Sequence, residues 1–283
     1  MSLKSKQLWF LDRFGDKFPD RFYLGWKYWI MLGHRLHLDP PRTYTEKIQW
    51  MKLYDRDPRY TVLADKHSVK HFVADRIGSE HIIPTLGVWH GAEEIDFGKL
   101  PEKFVLKCNH DSGSAIICTD KGSFDREKAC QQLNAALKKN YYPKEREWAY
   151  RDIKPLIIAE EYLGDSVPDY KFFCFNGKPE FMFIATDRFD PSVDTKFDFF
   201  DMDFNHLDVR NGHPNAPVPP ERPELWEEMK ALAAKLSEGL KHVRVDLYQV
   251  GGKIYFGEYT FYHWGGLVPF EPASWDRKFG ELI

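Results

Sequence analysis

Lys107 ends an apolar run, and Asp111, Ser112, Gly113 and Ser114 follow shortly after it, in the stretch FVLKCNHDSGSAIIC (104–118). Two readings fit these residue types. One is an ordinary β-hairpin, since Asp-Ser and Ser-Gly pairs are common turn formers. The other is an anion cradle, in which N–H groups of a small-residue turn point at phosphate oxygens and the lysine adds a point charge. A second chemical cluster lies near the end of the chain. In RVD, Arg244 and Asp246 alternate, so both leave one face of a strand; Glu258 and Thr260 in EYT share a face of the return strand. If the two faces coincide, two carboxylates, an arginine and a hydroxyl converge, a set suited to Mg²⁺ shared with phosphate oxygens. A cross-strand arginine–carboxylate pair is the purely structural alternative.

Those residues need scaffolding, and the chain has length for it. Its 283 residues carry a net charge of −3, which argues against a broad basic field for nucleic acid. Aromatic residues make up 16%, enough for stacking surfaces but not diagnostic of a ligand. Cys108, Cys118, Cys130 and Cys174 form no C-x-x-C pair, so reduced, mostly buried thiols are expected. The first residues lack a leader pattern. The most lipid-like run, YLGWKYWIMLG (23–33), is broken by Lys27 and too short to span a bilayer, which makes it a core helix rather than a surface anchor. A soluble, cytoplasmic protein is the expectation.

The first 75 residues read as helical. Thr43 and Glu46 form a capping-box pattern opening RTYTEKIQWMKLY (42–54). YTVLADKHSVKHFVADRIG (60–78) has helical spacing and ends on Gly78, predicting one helix. Strands follow at 82–89, in the 104–118 hairpin, and at KPLIIAEEYL (154–163), with a helix over 123–140. Beyond Gly164, YKFFCFNG and KPEFMFIATDR meet at Asn176-Gly177, a strong hairpin signal. KFDFFDMDF (196–204) alternates like an edge or half-buried strand. After the proline-rich loop 211–224 comes a helix at 225–240, then a hairpin over 242–261 that turns at Gly251-Gly252. The class is mixed α+β, with strands grouped in two blocks.

Several motifs occur in a particular order: Lys66 in ADKHSVKHF, Lys107 with its Ser-Gly-Ser loop, the apolar strand ending in Glu160-Glu161-Tyr162-Leu163, Asp169, then RVD and GEYT. Over roughly residues 60–270 this series resembles the ATP-grasp superfamily. PRTYTEKIQWMKL before it and EYTFY at its end resemble the teichuronopeptide-biosynthesis (TupA-like) branch, associated with bacterial surface polysaccharides. The resemblance implies two α+β subdomains gripping ATP, at 81–163 and 164–283, behind a helical region at 1–80. Lys66 and Lys107 would neutralise ATP phosphates, with Ser112, Gly113 and Ser114 closing over them as a flap (109–114) that is poorly ordered without nucleotide. Glu160, Glu161, Tyr162 and Leu163 would form the hinge that reads adenine, and Asp169 would hold the ribose. Asp246 and Glu258 would bind Mg²⁺, and Arg244, acting in catalysis with Lys107, would stabilise the transferred phosphoryl group. Thr260 stands where the third metal ligand of the superfamily is commonly Asn, which leaves a second metal open.

The activity implied is carboxylate–amine ligation through an acyl phosphate, on small-molecule or saccharide substrates. No nucleic-acid partner and no membrane span are expected; peripheral association with polysaccharide-assembly machinery is compatible. A sugar kinase and a non-catalytic nucleotide-binding scaffold are the alternatives. Nothing resembles a D-x-D motif placed for a nucleotide sugar, since DMD (201–203) reads as strand alternation. His67 and His71 stand at helical spacing but lack a third ligand, so a solvated face is the better reading. His110, His263, the loop YHWGG (262–266), and the pair Arg188 and Lys196 complete the residues able to meet a substrate.

Overall fold

The structure, a computed structural model, describes residues 3–165, 167–187 and 193–283. Arg188 lies outside the described residues. The chain adopts the mixed α+β class expected. Helices α1 (Leu3–Phe14) and α2 (Asp20–Leu32) pack Leu11, Tyr23 and Leu24 against Leu53 of α3 (Tyr44–Tyr54). Residues 23–33 thus lie largely in a core helix, although Phe22 and Trp29 of α2 are exposed. Helix α3 starts on the capping box: Glu46 N–H donates to the Thr43 hydroxyl, and Thr43 N–H donates to the Glu46 carboxylate.

Residues 60–78 differ from expectation. They form two helices, α4 (Arg59–Ala64) and α5 (Val69–Ile77), not one. Asp65 breaks the run because its side chain accepts from the N–H groups of His67 and Ser68, offering the backbone a turn in place of the helical ladder. His67 therefore sits in that turn, off the helix that carries His71.

A four-stranded antiparallel sheet follows, ordered β1-β4-β2-β3 from β1 (Thr85–Trp89), β2 (Phe104–Cys108), β3 (Ile116–Cys118) and β4 (Ile157–Glu161). Between β3 and β4 run α6 (Arg126–Leu137) and the short α7 (Tyr142–Glu145). Asp125 caps α6, which packs Leu133 and Ala136 into one core with Phe104, Leu106, Ile157 and Ala159.

The larger sheet contains β5 (Asp169–Phe175), β6 (Lys178–Thr186), β7 (Lys196–Asp201), β8 (His206–Leu207), β10 (His242–Val250) and β11 (Lys253–Thr260), in the order β11-β10-β5-β6-β7-β8. A small pair, β9 (Arg210–Asn211) with β12 (Phe270–Glu271), lies beside it. Asn176 and Gly177, and then Gly251 and Gly252, all have positive φ, as two-residue hairpin turns require. On one face, α8 (Trp226–Ser237) stacks Trp226 on Phe172. On the other, Tyr44 of α3 meets Phe173 edge-on, and Phe279 of α9 (Ser274–Gly280) stacks on Phe181. Strand β7 is consequently buried from Phe197 to Phe200 and not half-buried as its alternation suggested: Phe199 packs on Phe183, while Phe200 packs on Phe204 from the opposite face.

His242 begins β10 inside this core. Its Nδ1–H donates to the Cys174 carbonyl, and Nε2 accepts from the Tyr44 hydroxyl. Burial, assisted by Arg244, pushes the imidazole down to about 4 despite the Cys174 hydrogen bond. The unfolded chain, with an ordinary imidazole, binds a proton below about pH 6.5 that the native state does not take up until about pH 4. Stability from this site is therefore full above that upper value and is lost as pH falls through the window. Lowering the pH from 7 to 5 should cost about 2 kcal/mol through His242, and His242→Asn should remove that share of the slope. Denaturant unfolding at both pH values measures it; identical slopes in the two proteins would refute the assignment.

Candidate active site

One face of the large sheet changes character along its length. Phe173, Phe175 and His242 make it apolar beneath α3. Toward the other end, Asp169 and Lys171 on β5, Arg244 and Asp246 on β10, and Glu258 and Thr260 on β11 make it ionic. The register sets Asp246 beside Lys171 on one side and Glu258 on the other, with Arg244 beside Thr260, so the two faces read from the sequence do coincide. A bulge keeps them aligned: the register shifts after Asp246, and Gly257 absorbs the extra residue. A Cβ on Gly257 would fall 2.8 Å from the Tyr248 ring, so only glycine fits there.

Arg244 is held at three points. Nε and Nη2 grip Asp246 at 2.7 Å each, Nη2 also donates to Thr260 Oγ1 at 2.9 Å, and Nη1 donates to His263 Nδ1 at 2.7 Å. Because a guanidinium only donates, His263 Nδ1 must be an acceptor, so its proton sits on Nε2 and goes to Asn211 Oδ1 at 2.8 Å. The Asn211 amide in turn donates to the carbonyls of Val268 and Pro269. Burial and the adjacent Arg244 charge hold His263 well below the usual imidazole range, which keeps it neutral as this relay requires.

Asp246 is fully buried. Its oxygens are taken by Arg244 and by Lys171, whose ammonium also contacts Asp169 at 2.6 Å. The tight pair of Arg244 with Asp246 runs along one strand, while the cross-strand arginine–carboxylate contact that the sequence left as the alternative to metal binding is the looser Arg244–Glu258 at 3.8 Å. Asp169, expected at a ribose, is only 1% exposed and faces Lys171, because the β5–β10 register turns it into the ionic face. Glu258 is the carboxylate that reaches open space, with its side chain 33% exposed, 3.3 Å from Lys66 and 3.8 Å from Arg244. Burial would raise its carboxyl, but Lys66, Lys171, Arg244 and Lys107 outweigh that and hold it at about 2. Glu258 and the nearby Thr260 hydroxyl fit Mg²⁺, which usually takes one or two carboxylates with the rest of its shell from phosphate and water. Asp246 would join them only if a cation released it. Among the described residues, no three His, Cys, Asp or Glu side chains form a ready-made metal cage.

The small sheet carries a second ion-paired cluster. Lys107 meets Glu160 at 2.5 Å, and Lys70 of α5 meets the same carboxylate at 2.6 Å. Burial opposes ionisation of Glu160, yet the two ammonium groups win and hold it below the usual range. Glu160 is paired on both sides of β4, with Thr85 and Val105, and Glu161 N–H donates to Pro84. Of the expected hinge, Glu160 is therefore an ion-paired sheet residue, and Tyr162 and Leu163 come after the strand ends. The loop 109–114 also departs from expectation. Asn109, His110 and Asp111 are buried; Asn109 bonds Asp65 and the carbonyl of Lys154, and Ser114 bridges Cys108 N–H to Asp111. Lys66 Nζ donates to the Asp111 carbonyl at 2.5 Å. Only Ser112 and Gly113 stand exposed, with Gly113 at φ +95° in open space.

The ionic face opens on a cavity of about 420 Å³, lined by Lys66, Lys171, Arg244, Glu258 and Thr260, with Asp111 and Ser112 from the loop after β2. His110 lines it while donating Nε2–H to the Lys139 carbonyl. Residues 262–265 of the 262–266 loop reach it too, whereas Lys196 opens β7. Sequence reasoning missed Lys171, Lys70 and Glu147. A lysine inside the otherwise apolar run YKFFCF was the available signal for the first; the other two are brought in only by tertiary packing. Replacing Lys171 with Met should leave the Asp169 and Asp246 carboxylates facing each other without their shared cation, at a cost of about 3–5 kcal/mol. Chemical denaturation reads this, and a loss under about 1 kcal/mol would mean that Arg244 alone suffices.

A family model described as TupA-like ATP-grasp matches residues 46–283. No curated protein matches the chain in sequence. Among solved structures, D-alanine–D-alanine ligase from Bacillus anthracis is similar at 16% identity and TM-score 0.43, over 71% of this chain and 57% of that one. L-amino acid ligase from Bacillus licheniformis is similar at 12% identity and TM-score 0.47, over 78% and 51%. D-alanine–D-alanine ligase from Helicobacter pylori gives 14%, 0.45, 85% and 69%. The chain spans little more than half the length of the first two. With the ionic face of its large sheet opening on one cavity, and the family match running from α3 to its last residue, the chain belongs to the TupA-like ATP-grasp family.

Proposed function

We propose that the protein is an ATP- and Mg²⁺-dependent carboxylate–amine ligase working through an acyl phosphate, in surface-polysaccharide biosynthesis on the cytoplasmic side. The observation that carries this reading is Arg244, locked by Asp246, Thr260 and His263 at the wall of a cavity it shares with Lys66 and Glu258. Family membership supports the ATP chemistry, and the polysaccharide setting rests on the resemblance of PRTYTEKIQWMKL and EYTFY to the teichuronopeptide-biosynthesis branch. Among the described residues no helix is long and apolar enough to cross a membrane.

In this reading the two sheets grip ATP between them, with residues 81–163 and 164–283 as the two halves. Lys66 and Lys107 face the phosphates, and the exposed tip Ser112-Gly113 is the part of the flap that closes on them, its base being anchored. Tyr162 and Leu163 lie at the hinge. The substrate carboxylate attacks the γ-phosphorus, the bond to the β-γ bridging oxygen breaks, and ADP leaves. Arg244 offsets charge on the transferred group, already oriented and needing no rearrangement. Mg²⁺ held through Glu258 and Thr260 would neutralise phosphate charge. An amine then attacks the acyl carbon, and phosphate departs with the C–O electron pair.

Incubation with ATP, Mg²⁺ and pooled sugar acids and amino acids should release ADP only when both a carboxylate and an amine are present. Glu258→Gln should cut that turnover by about a hundredfold or more while leaving the melting temperature nearly unchanged. Asp246→Asn should lower both, because it also strips Lys171 and Arg244 of their buried partner. Calorimetry with no saturable MgATP binding would sink the proposal.

A further inference from the structure

The cavity has a second side on which the phosphate chemistry makes no demand. Away from Lys66, Arg244 and Lys171 it is walled by Glu145, Glu147, Tyr150, Tyr262 and Trp264. Each of the other carboxylates lining the cavity has a close partner. Glu258 pairs with Lys66, Asp111 accepts from Ser114, and Glu145 Oε1 is held by Lys27 at 2.8 Å. Among the described residues Glu147 has only Lys52, at 3.9 Å, and that ammonium is already committed to the Gly265 carbonyl at 2.8 Å. Gly265, at φ +60°, keeps the approach open. A Cβ there would sit 3.2 Å from both Glu147 Oε1 and Lys52 Nζ, and 3.5 Å from Glu145 Oε2.

The surroundings suit a cation. Tyr150 and Tyr262, 6.4 Å apart by ring centroid, line the same cavity, and both phenols feel the Glu147 charge. The Tyr262 hydroxyl is buried and makes no hydrogen bond of ordinary length and angle. The Tyr150 phenol lies between the two sides of the cavity: burial raises it well above its ordinary value, and the Glu147 and Glu258 carboxylates add to the rise.

Resting on the ligase reading, we propose that Glu147 is the binding and proton-accepting site for the amine substrate, which enters as a primary ammonium. The ammonium gives one proton to a Glu147 oxygen, and the freed lone pair forms the C–N bond to the acyl phosphate. As the C–O bond breaks, the second proton leaves with phosphate, and Glu147 returns its own to solvent. Burial raises the Glu147 carboxyl above the usual range, Lys52 opposes that, and Glu145 adds to it, with Lys27 acting weakly in the direction of Lys52. A carboxylate tuned upward in this way is a better proton acceptor near neutral pH.

The test measures ammonium binding directly, apart from turnover. Saturation-transfer NMR on the full chain uses ethanolamine and glucosamine as probes, with ethylene glycol and glucose as neutral counterparts, and calorimetry follows MgATP. The wild type should bind the two ammonium probes saturably and in preference to the neutral ones. Glu147→Gln should weaken them about tenfold or more, with MgATP affinity held within about twofold. Glu147→Asp, which keeps the charge facing Lys52, should fall between the two and serves if the glutamine variant does not fold. Equal binding of neutral and cationic probes, no saturation by either ammonium, or wild-type affinity in Glu147→Gln overturns the site. Absent MgATP binding with Glu147-dependent ammonium binding intact counts against the ligase reading and leaves the site standing.

Discussion

A carboxylate with no exposure to water, Asp246, sits in the middle of the large sheet. Leaving a charge there is expensive unless cations and hydrogen bonds surround it. Arg244 and Lys171 supply them, and each is itself constrained. Lys171 must be on β5 directly opposite Asp246, which fixes the β5–β10 register. Arg244 must keep one arm free of Asp246 and fill it with His263, which requires a neutral imidazole of one tautomer, which in turn requires Asn211. The loop carrying His263 is held from below by Gln49 and Lys52 of α3, both donating to the Gly265 carbonyl. The capping box that starts α3, the bulge at Gly257 and the β9–β12 pair thus serve one end: a guanidinium that does not move.

The lysines outside that network are of a different kind. Lys66 touches a partly exposed Glu258 at 3.3 Å, and such pairs contribute little to stability because water and salt screen them. Lys107 and Lys70 share the single carboxylate of Glu160, so neither has a counter-charge of its own. Lys66 could therefore turn to another anion at small cost, whereas Lys107 and Lys70 could not leave the buried Glu160, nor Arg244 the buried Asp246, without stranding a carboxylate. In the proposed reading, a fixed guanidinium beside an exchangeable Lys66 is a division of labour suited to phosphoryl transfer.

What could be read from the residues was whatever depends on period two or on local turn chemistry. Arg244 with Asp246, and Glu258 with Thr260, were placed on one face by alternation alone. Asn176-Gly177 and Gly251-Gly252 announced the hairpins, and Thr43 with Glu46 the start of α3. What could not be read was set by partners far away in sequence. Asp65 looked like a helix residue until its side chain was seen to accept from two backbone N–H groups. The loop after Lys107 looked solvent-exposed, because nothing in Asn109, His110 or Asp111 announces that Asp65, Lys66 and Lys139 close over them. Glu160 looked like the end of a strand, and only α5 folding back revealed its second cation.

The same reasoning explains why the Glu147 side of the cavity escaped notice. Its members come from α3, from the turn after α7, and from the loop after β11, and no local pattern joins Lys52, Glu147 and Gly265. Their meeting follows from α3 serving two purposes. One end of that helix packs Tyr44 on Phe173 and His242 under the fixed arginine, while the other carries Lys52 to the cavity floor. Arg244 and Glu147 are both braced against that one helix, Arg244 through the loop of His263 that Gln49 and Lys52 hold and Glu147 through Lys52, so their separation is set by packing on a common element. For a reaction that joins two substrates, that fixed separation between the two sites matters more than the strength of any single contact.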